Sequence, residues 1–227
     1  MNNNIIGIIV SFLFVICIIG ISTILTKKKI ITGEASRKFI HIGVCNWWLL
    51  AMIFFDNRYY ASIVPALFVI INYLSYKYQV IGAMERNGDK KDLGTVYYAI
   101  SLLILSLLTL GNSGYGYIGA LGILTMGYGD GFAAVVGTFK GTRYIAIGRN
   151  LKSKEGTLTM AVVSFAVMIL ILGICTELSI LLIVAYSIVL SIVATLLELF
   201  TPHGLDNLTV PLGVSLIYYL LTVFMRW

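Results

Sequence analysis

Residues 5–25 read IIGIIVSFLFVICIIGISTIL, an apolar run with no charged side chain, and Lys27, Lys28 and Lys29 follow it. A helix rises about 1.5 Å per residue, so a run of this length crosses a hydrocarbon core about 30 Å thick. Lipid offers the backbone no hydrogen-bond partner, and a helix satisfies its N–H and C=O groups within the segment. A cleaved signal peptide would carry its positive charge ahead of a shorter apolar region. Here Met1 to Asn4 is uncharged and the lysines come afterwards. The run therefore reads as a retained span whose C-terminal end faces the cytoplasm.

Working outward, the same pattern repeats. The chain is 59% hydrophobic and 11% charged, whereas a water-covered globule carries about 25% charged residues. Lipid must be the solvent for most of this surface. Apolar stretches near 5–26, 39–55, 59–76, 94–111, 117–138, 157–175, 178–198 and 209–225 are separated by charged or turn-rich breaks. The break at Asp56-Asn57-Arg58 is the shortest. The expected architecture is an all-α polytopic transmembrane helical bundle of about 7–8 spans. Its 227 residues are expected to form one integral-membrane domain, 1–227. In a prokaryote that places it in the cell membrane.

Charge sets the orientation. With the N-terminus outside, the loops at 27–38, 77–93, 139–156 and 199–208 are cytoplasmic and hold 14 of the 16 Lys and Arg residues; Arg58 and Arg226 stay on the other side. That is the positive-inside asymmetry. Because the cations serve four separate short loops, the net charge of +6 is a topology signal and not a nucleic-acid surface. Cys17, Cys45 and Cys175 lie far apart in apolar segments, without the spacing of a zinc site or a disulfide framework, and read as small apolar filler.

The unusual polar residues gather on the cytoplasmic side. Arg37 and His41 stand one helical turn apart beside Lys38, cations suited to an anionic ligand. Glu85, Arg86, Asp89, Lys90, Lys91 and Asp92 form a mixed-charge loop leading to Gly94 and Thr95, equally readable as a solvated loop that caps the next helix. Residues 111–156 hold 12 of the 22 glycines, and small residues at four-residue spacing there let helices approach closely. Within this region Asp130 is a lone carboxylate bracketed by Gly129 and Gly131. An intramembrane charge needs a partner, and Mg²⁺ bridging phosphates is an apt one. Lys140, Arg143, Arg149, Lys152, Ser153 and Lys154 precede the sixth apolar stretch, where a basic loop and free helix N–H groups suit phosphate. Glu198, Pro202, His203, Gly204, Asp206, Asn207 and Pro211 close the series. There Asp206-Asn207 either caps a helix or offers two hard oxygen ligands.

Taken in order, these residues resemble the polyprenol kinase family of membrane enzymes, which includes dolichol kinase, phytol kinase and CTP-dependent diacylglycerol kinases. The matching residues are Arg37-Lys38-x-x-His41, Gly129-Asp130 with Ala133, Ala134 and Gly137, then Gly141, Lys152-Ser153-x-Glu155-Gly156, Glu198, Asp206-Asn207 and Pro211. They span the family-like core, 34–215, and leave 1–33 as a peripheral first span and basic loop. The resemblance implies transfer of the γ-phosphate of CTP to the hydroxyl of a membrane lipid alcohol (a polyprenol, a phytol-like isoprenoid or diacylglycerol) with Mg²⁺ at the cytoplasmic face. It implies nucleotide binding by Arg37, Lys38, Lys152, Ser153, Lys154, Glu155 and Gly156, with Gly129, Gly137 and Gly141 alongside. It implies metal binding by Asp130, Glu198, Asp206 and Asn207, and catalysis by Asp130, His41 and Lys152, with His41 and Asp130 both open as the base.

Two other readings remain at this point. A phosphatidate cytidylyltransferase also uses CTP, but His203-Gly204-Leu205-Asp206 matches only part of that family's ending. A transporter would carry polar residues at mid-membrane in several spans, where this chain has mostly Ser, Thr and Tyr.

Overall fold

The computed structural model describes residues 2–31, 33–78, 93–111, 114–147, 150–202 and 204–224. Each of the eight expected apolar stretches carries helix. In chain order the helices are α1 (Asn3–Lys27), α2 (Glu34–Cys45), α3 (Trp47–Phe54), α4 (Arg58–Tyr78), α5 (Gly94–Thr109), α6 (Gly116–Leu124), α7 (Gly131–Lys140), α8 (Lys154–Cys175), α9 (Ile180–Phe200) and α10 (Asp206–Phe224). Among the described residues, six helices are long and apolar enough to cross a membrane, and α6 and α7 count as one of them. The stretch at 94–111 carries the 16-residue α5, and the stretch at 39–55 is divided between α2 and α3 at Asn46. The protein is an all-α polytopic membrane bundle.

Glycine determines which helix occupies the centre. The α6–α7 helix has 78% of its apolar window buried, against 22–33% for the other five. A Cβ built on Gly119 would lie 2.1 Å from the Trp48 ring of α3, on Gly122 2.2 Å from the Pro211 carbonyl of α10, and on Gly131 2.3 Å from Ile42 of α2. Contacts this short leave no room for a side chain, so bare backbone is what lets three neighbours close around one helix. Between α6 and α7, residues Thr125–Asp130 form a π-helical turn. One wide turn shifts every later side chain around the axis, and such turns are frequent at functional sites.

The loop expected at 139–156 contains an antiparallel hairpin, β1 (Tyr144–Ile147) and β2 (Asn150–Ser153), with Ile145 opposite Lys152 and Tyr144 opposite Ser153. It is the only sheet among the described residues. Its β-branched and aromatic residues favour extended backbone.

Candidate active site

Asp130 ends the π-helical turn, Glu198 sits in the last turn of α9, and Asp206 opens α10. One carboxylate oxygen from each lies within 4.8 Å of the other two, and Asp130 and Glu198 are buried. The π-helical turn thus meets the α9–α10 junction, about 70 residues later in the chain, at the end of the bundle that carries the basic loops. Carboxylates this close repel unless cations stand between them. Two lysines supply that charge: Lys38 of α2 pairs with Asp130, and Lys152 of β2 reaches the side chain and backbone carbonyl of Glu198. The Lys152 ammonium also lies 3.7 Å from Asp206. Formally the cluster keeps one negative charge, from three carboxylates and two ammoniums.

Glu198 Oε2 is buried without a hydrogen-bond partner. An orphaned acceptor in a dry site is costly, and a cation relieves it. Hard oxygen donors gathered from three helical segments fit Mg²⁺, which takes few protein carboxylates and completes its shell with water and phosphate.

His41 also lies beside Asp130. Its Nε2 stands 4.0 Å from Asp130 Oδ2 and has no hydrogen-bond partner. The imidazole lies against the Tyr98 ring, with centroids 4.3 Å apart. That contact helps to hold the ring while Nε2 stays unpartnered beside Asp130, the arrangement a general base needs.

Behind His41 a partly open groove runs into the bundle between α1, α2, α4 and α5, with a cavity volume of about 70 Å³. Arg37, Lys38, His41 and Asn207 stand at its polar end, while Val15, Val44, Trp47, Val64 and Leu102 line the apolar remainder. An apolar slot that ends at a charged cluster suits an amphiphile with one polar end. Helix α1 supplies one wall of it through Val15 and Ile19.

The remaining expected residues hold the scaffold around the site. The Ser153 hydroxyl caps α8 by accepting from the Gly156 N–H at 3.0 Å, and Glu155 accepts from the Thr142 hydroxyl at 2.6 Å. Lys154 is exposed. Cβ atoms on Gly137, Gly141 and Gly156 would each come within 3.0 Å of Ser153, and one on Gly129 within 2.6 Å of Met160 Sδ. These glycines let α7 and the π-helical turn lie directly on α8. Asn207 donates from its side chain to the Gly204 carbonyl at 3.0 Å and from its backbone to Asp206 at 3.1 Å, so it sets the turn that aims Asp206. Gly204 in that turn has φ +74°, where a side chain would be strained. The loop at 85–92, Arg149 and His203 lie outside the described residues.

Sequence reasoning passed over several contributors. Tyr98 and Trp47 look like apolar packing in any apolar helix. Asn46 joins the α2–α3 break to the π-helical turn by accepting from the Tyr128 hydroxyl at 2.7 Å. Asn72, which donates to the Thr95 carbonyl at 3.0 Å beside the groove, was visible as an amide in an apolar stretch.

Comparison with known proteins points the same way. The chain is 34% identical over 196 residues to a phytol kinase of Synechocystis sp., covering 86% of this chain and 82% of that protein. It is 30% identical over 214 residues to phytol kinase 1, chloroplastic, of Arabidopsis thaliana, covering 86% and 69%. It is also 30% identical over 219 residues to a probable phytol kinase 1, chloroplastic, of Oryza sativa, covering 87% and 67%. No family model and no solved structure matches the chain.

Proposed function

The chain belongs to the phytol kinase family, and from that premise we propose that it moves the γ-phosphoryl group of CTP to the hydroxyl of a single-tailed, phytol-like isoprenoid alcohol. At the coarser level it is a lipid-alcohol kinase, an enzyme whose acceptor is an alcohol group. The observation that carries the finer reading is the junction of two unlike environments at His41. A carboxylate cluster lies on one side of it and an apolar groove on the other.

In this reading the tail lies in the groove and brings its hydroxyl to His41 Nε2. The nucleotide phosphates approach from the basic, cytoplasmic end, where Lys38 and Lys152 exchange part of their carboxylate pairing for phosphate oxygens. Arg37 and Lys154 add charge at the mouth. Asp130, Glu198 and Asp206 would hold Mg²⁺, with Asn207 keeping Asp206 in place. Bound there, the ion would neutralise charge on the β- and γ-phosphates. The alcohol oxygen forms a bond to the γ-phosphorus as the bond to the β-phosphate oxygen breaks. CDP departs, and the hydroxyl proton passes to His41 Nε2. Positioning and charge neutralisation carry most of the rate in such transfers, because little covalent chemistry falls to the protein.

The test is transfer by purified protein from γ-labelled and α-labelled CTP, and from γ-labelled ATP, to phytol, farnesol and diacylglycerol. Label from γ-CTP on the isoprenoid alcohols, and none from α-CTP, is the expected result. Label from the α-position would mean nucleotidyl transfer, and preference for ATP would overturn the donor assignment.

A further inference from the structure

We propose that Trp47 is the stop that sets the longest acceptor tail this protein accommodates. The inference rests on the kinase reading above and deepens it. Farthest from the polar end the lining consists of Val15 on α1, Trp47 at the start of α3, Val64 on α4 and Leu102 on α5. The next inward-facing residues, Ser11, Ala61 and Leu105, are buried in protein and line no part of it. Neighbouring helices touch around the slot. Ser22 and Ser36 join α1 to α2, His41 stacks on Tyr98 between α2 and α5, Asn72 bonds to Thr95 between α4 and α5, and Phe12 meets Phe68 between α1 and α4. The groove therefore ends against buried protein beyond Trp47, Val64 and Leu102, with its polar mouth at the other end.

The floor is a fixed one. The Trp47 indole N–H donates to the Ser11 hydroxyl at 2.7 Å, and that hydroxyl donates to the Gly7 carbonyl at 2.6 Å. Trp47 as a whole is 2% exposed. Swinging it aside would strand a buried donor, so a tail that reaches it meets a wall rather than a flexible plug. Ala99, another lining residue of α5, lies one turn nearer the mouth and is also buried. It is the place where added bulk would raise the floor.

The experiment measures kcat/KM for wild type, Trp47→Ala, Trp47→Phe and Ala99→Phe with isoprenoid alcohols of two, three, four and eight units. Each profile is normalised to that protein's own value with the two-unit alcohol. Wild type should show a sharp fall at one length. In Trp47→Ala the fall moves to longer alcohols, raising the long-to-short ratio about tenfold or more, the scale on which apolar pockets discriminate by size. Trp47→Phe should move it part of the way and covers the case in which the alanine variant does not fold. Ala99→Phe should move it toward shorter alcohols. Profiles that coincide with wild type within about twofold would overturn the assignment of Trp47 and leave the kinase reading standing. A wild-type protein that phosphorylates no alcohol of any length would remove the kinase reading itself, and this inference with it.

Discussion

Asp130 and Lys38 form a pair whose members need each other. Both are buried, and removing one leaves the other's charge without its partner where little solvent can compensate. Breaking such a pair typically costs about 3–5 kcal/mol. Lys38→Met should therefore lower the thermal midpoint in detergent well below wild type. The double variant Lys38→Met with Asp130→Asn should recover much of that loss, since no lone charge remains. Equal midpoints for wild type and the Lys38 variant would contradict the pairing. Asp130 was legible in the sequence because a carboxylate in an apolar, glycine-bracketed run has little reason to exist except a partner. The identity of that partner was not legible, since Lys38 is 92 residues away and its sequence neighbours all suggested phosphate. Trp47 and Tyr98 were hidden for the opposite reason: aromatic side chains in apolar helices carry no local mark of what they face.

At the level of elements, the central helix depends on missing side chains. Gly122→Ala would set a Cβ 2.2 Å from the Pro211 backbone carbonyl of α10, which cannot yield as a flexible side chain can. Overpacking of this kind costs about 1–3 kcal/mol, and α10 carries Asp206, so both midpoint and activity should fall. Gly173→Ala is the matched control. Nothing lies within 4 Å of a Cβ there, and alanine is the better helix former, so stability should hold or rise slightly. A Gly122 variant as stable and active as wild type would refute the central role of this crossing. The apolar stretches were readable because each one needs to be long and uncharged to meet lipid. The π-helical turn, the α2–α3 break at Asn46 and the β1–β2 hairpin were not. Each is a short local departure, stabilised by tertiary contacts such as the Tyr128–Asn46 hydrogen bond.

Across the whole molecule, the arrangement separates two solvents. An apolar groove reaches toward the membrane interior, and a charged cluster faces the basic loops, with His41 where they meet. The function needs that boundary, since the acceptor is soluble in one phase and a nucleotide in the other. Divalent cations should therefore govern the nucleotide side alone. A chelator is expected to abolish phosphate transfer while leaving binding of a fluorescent isoprenoid alcohol unchanged within about twofold, because apolar burial and not charge holds the tail. Loss of tail binding on chelation would mean that groove and cluster are not the two halves described.

The most direct test of the central claim measures phosphate transfer from γ-labelled CTP to an isoprenoid alcohol over a Mg²⁺ titration, for wild type, Asp130→Asn and Asp206→Asn. No transfer is expected without a divalent cation. Each variant should lose about a thousandfold in kcat, equivalent to about 4 kcal/mol, in protein that still unfolds cooperatively. Variants that keep wild-type rates and the wild-type Mg²⁺ dependence would contradict the claim, and the carboxylate cluster would then be a structural feature of the bundle rather than its active site.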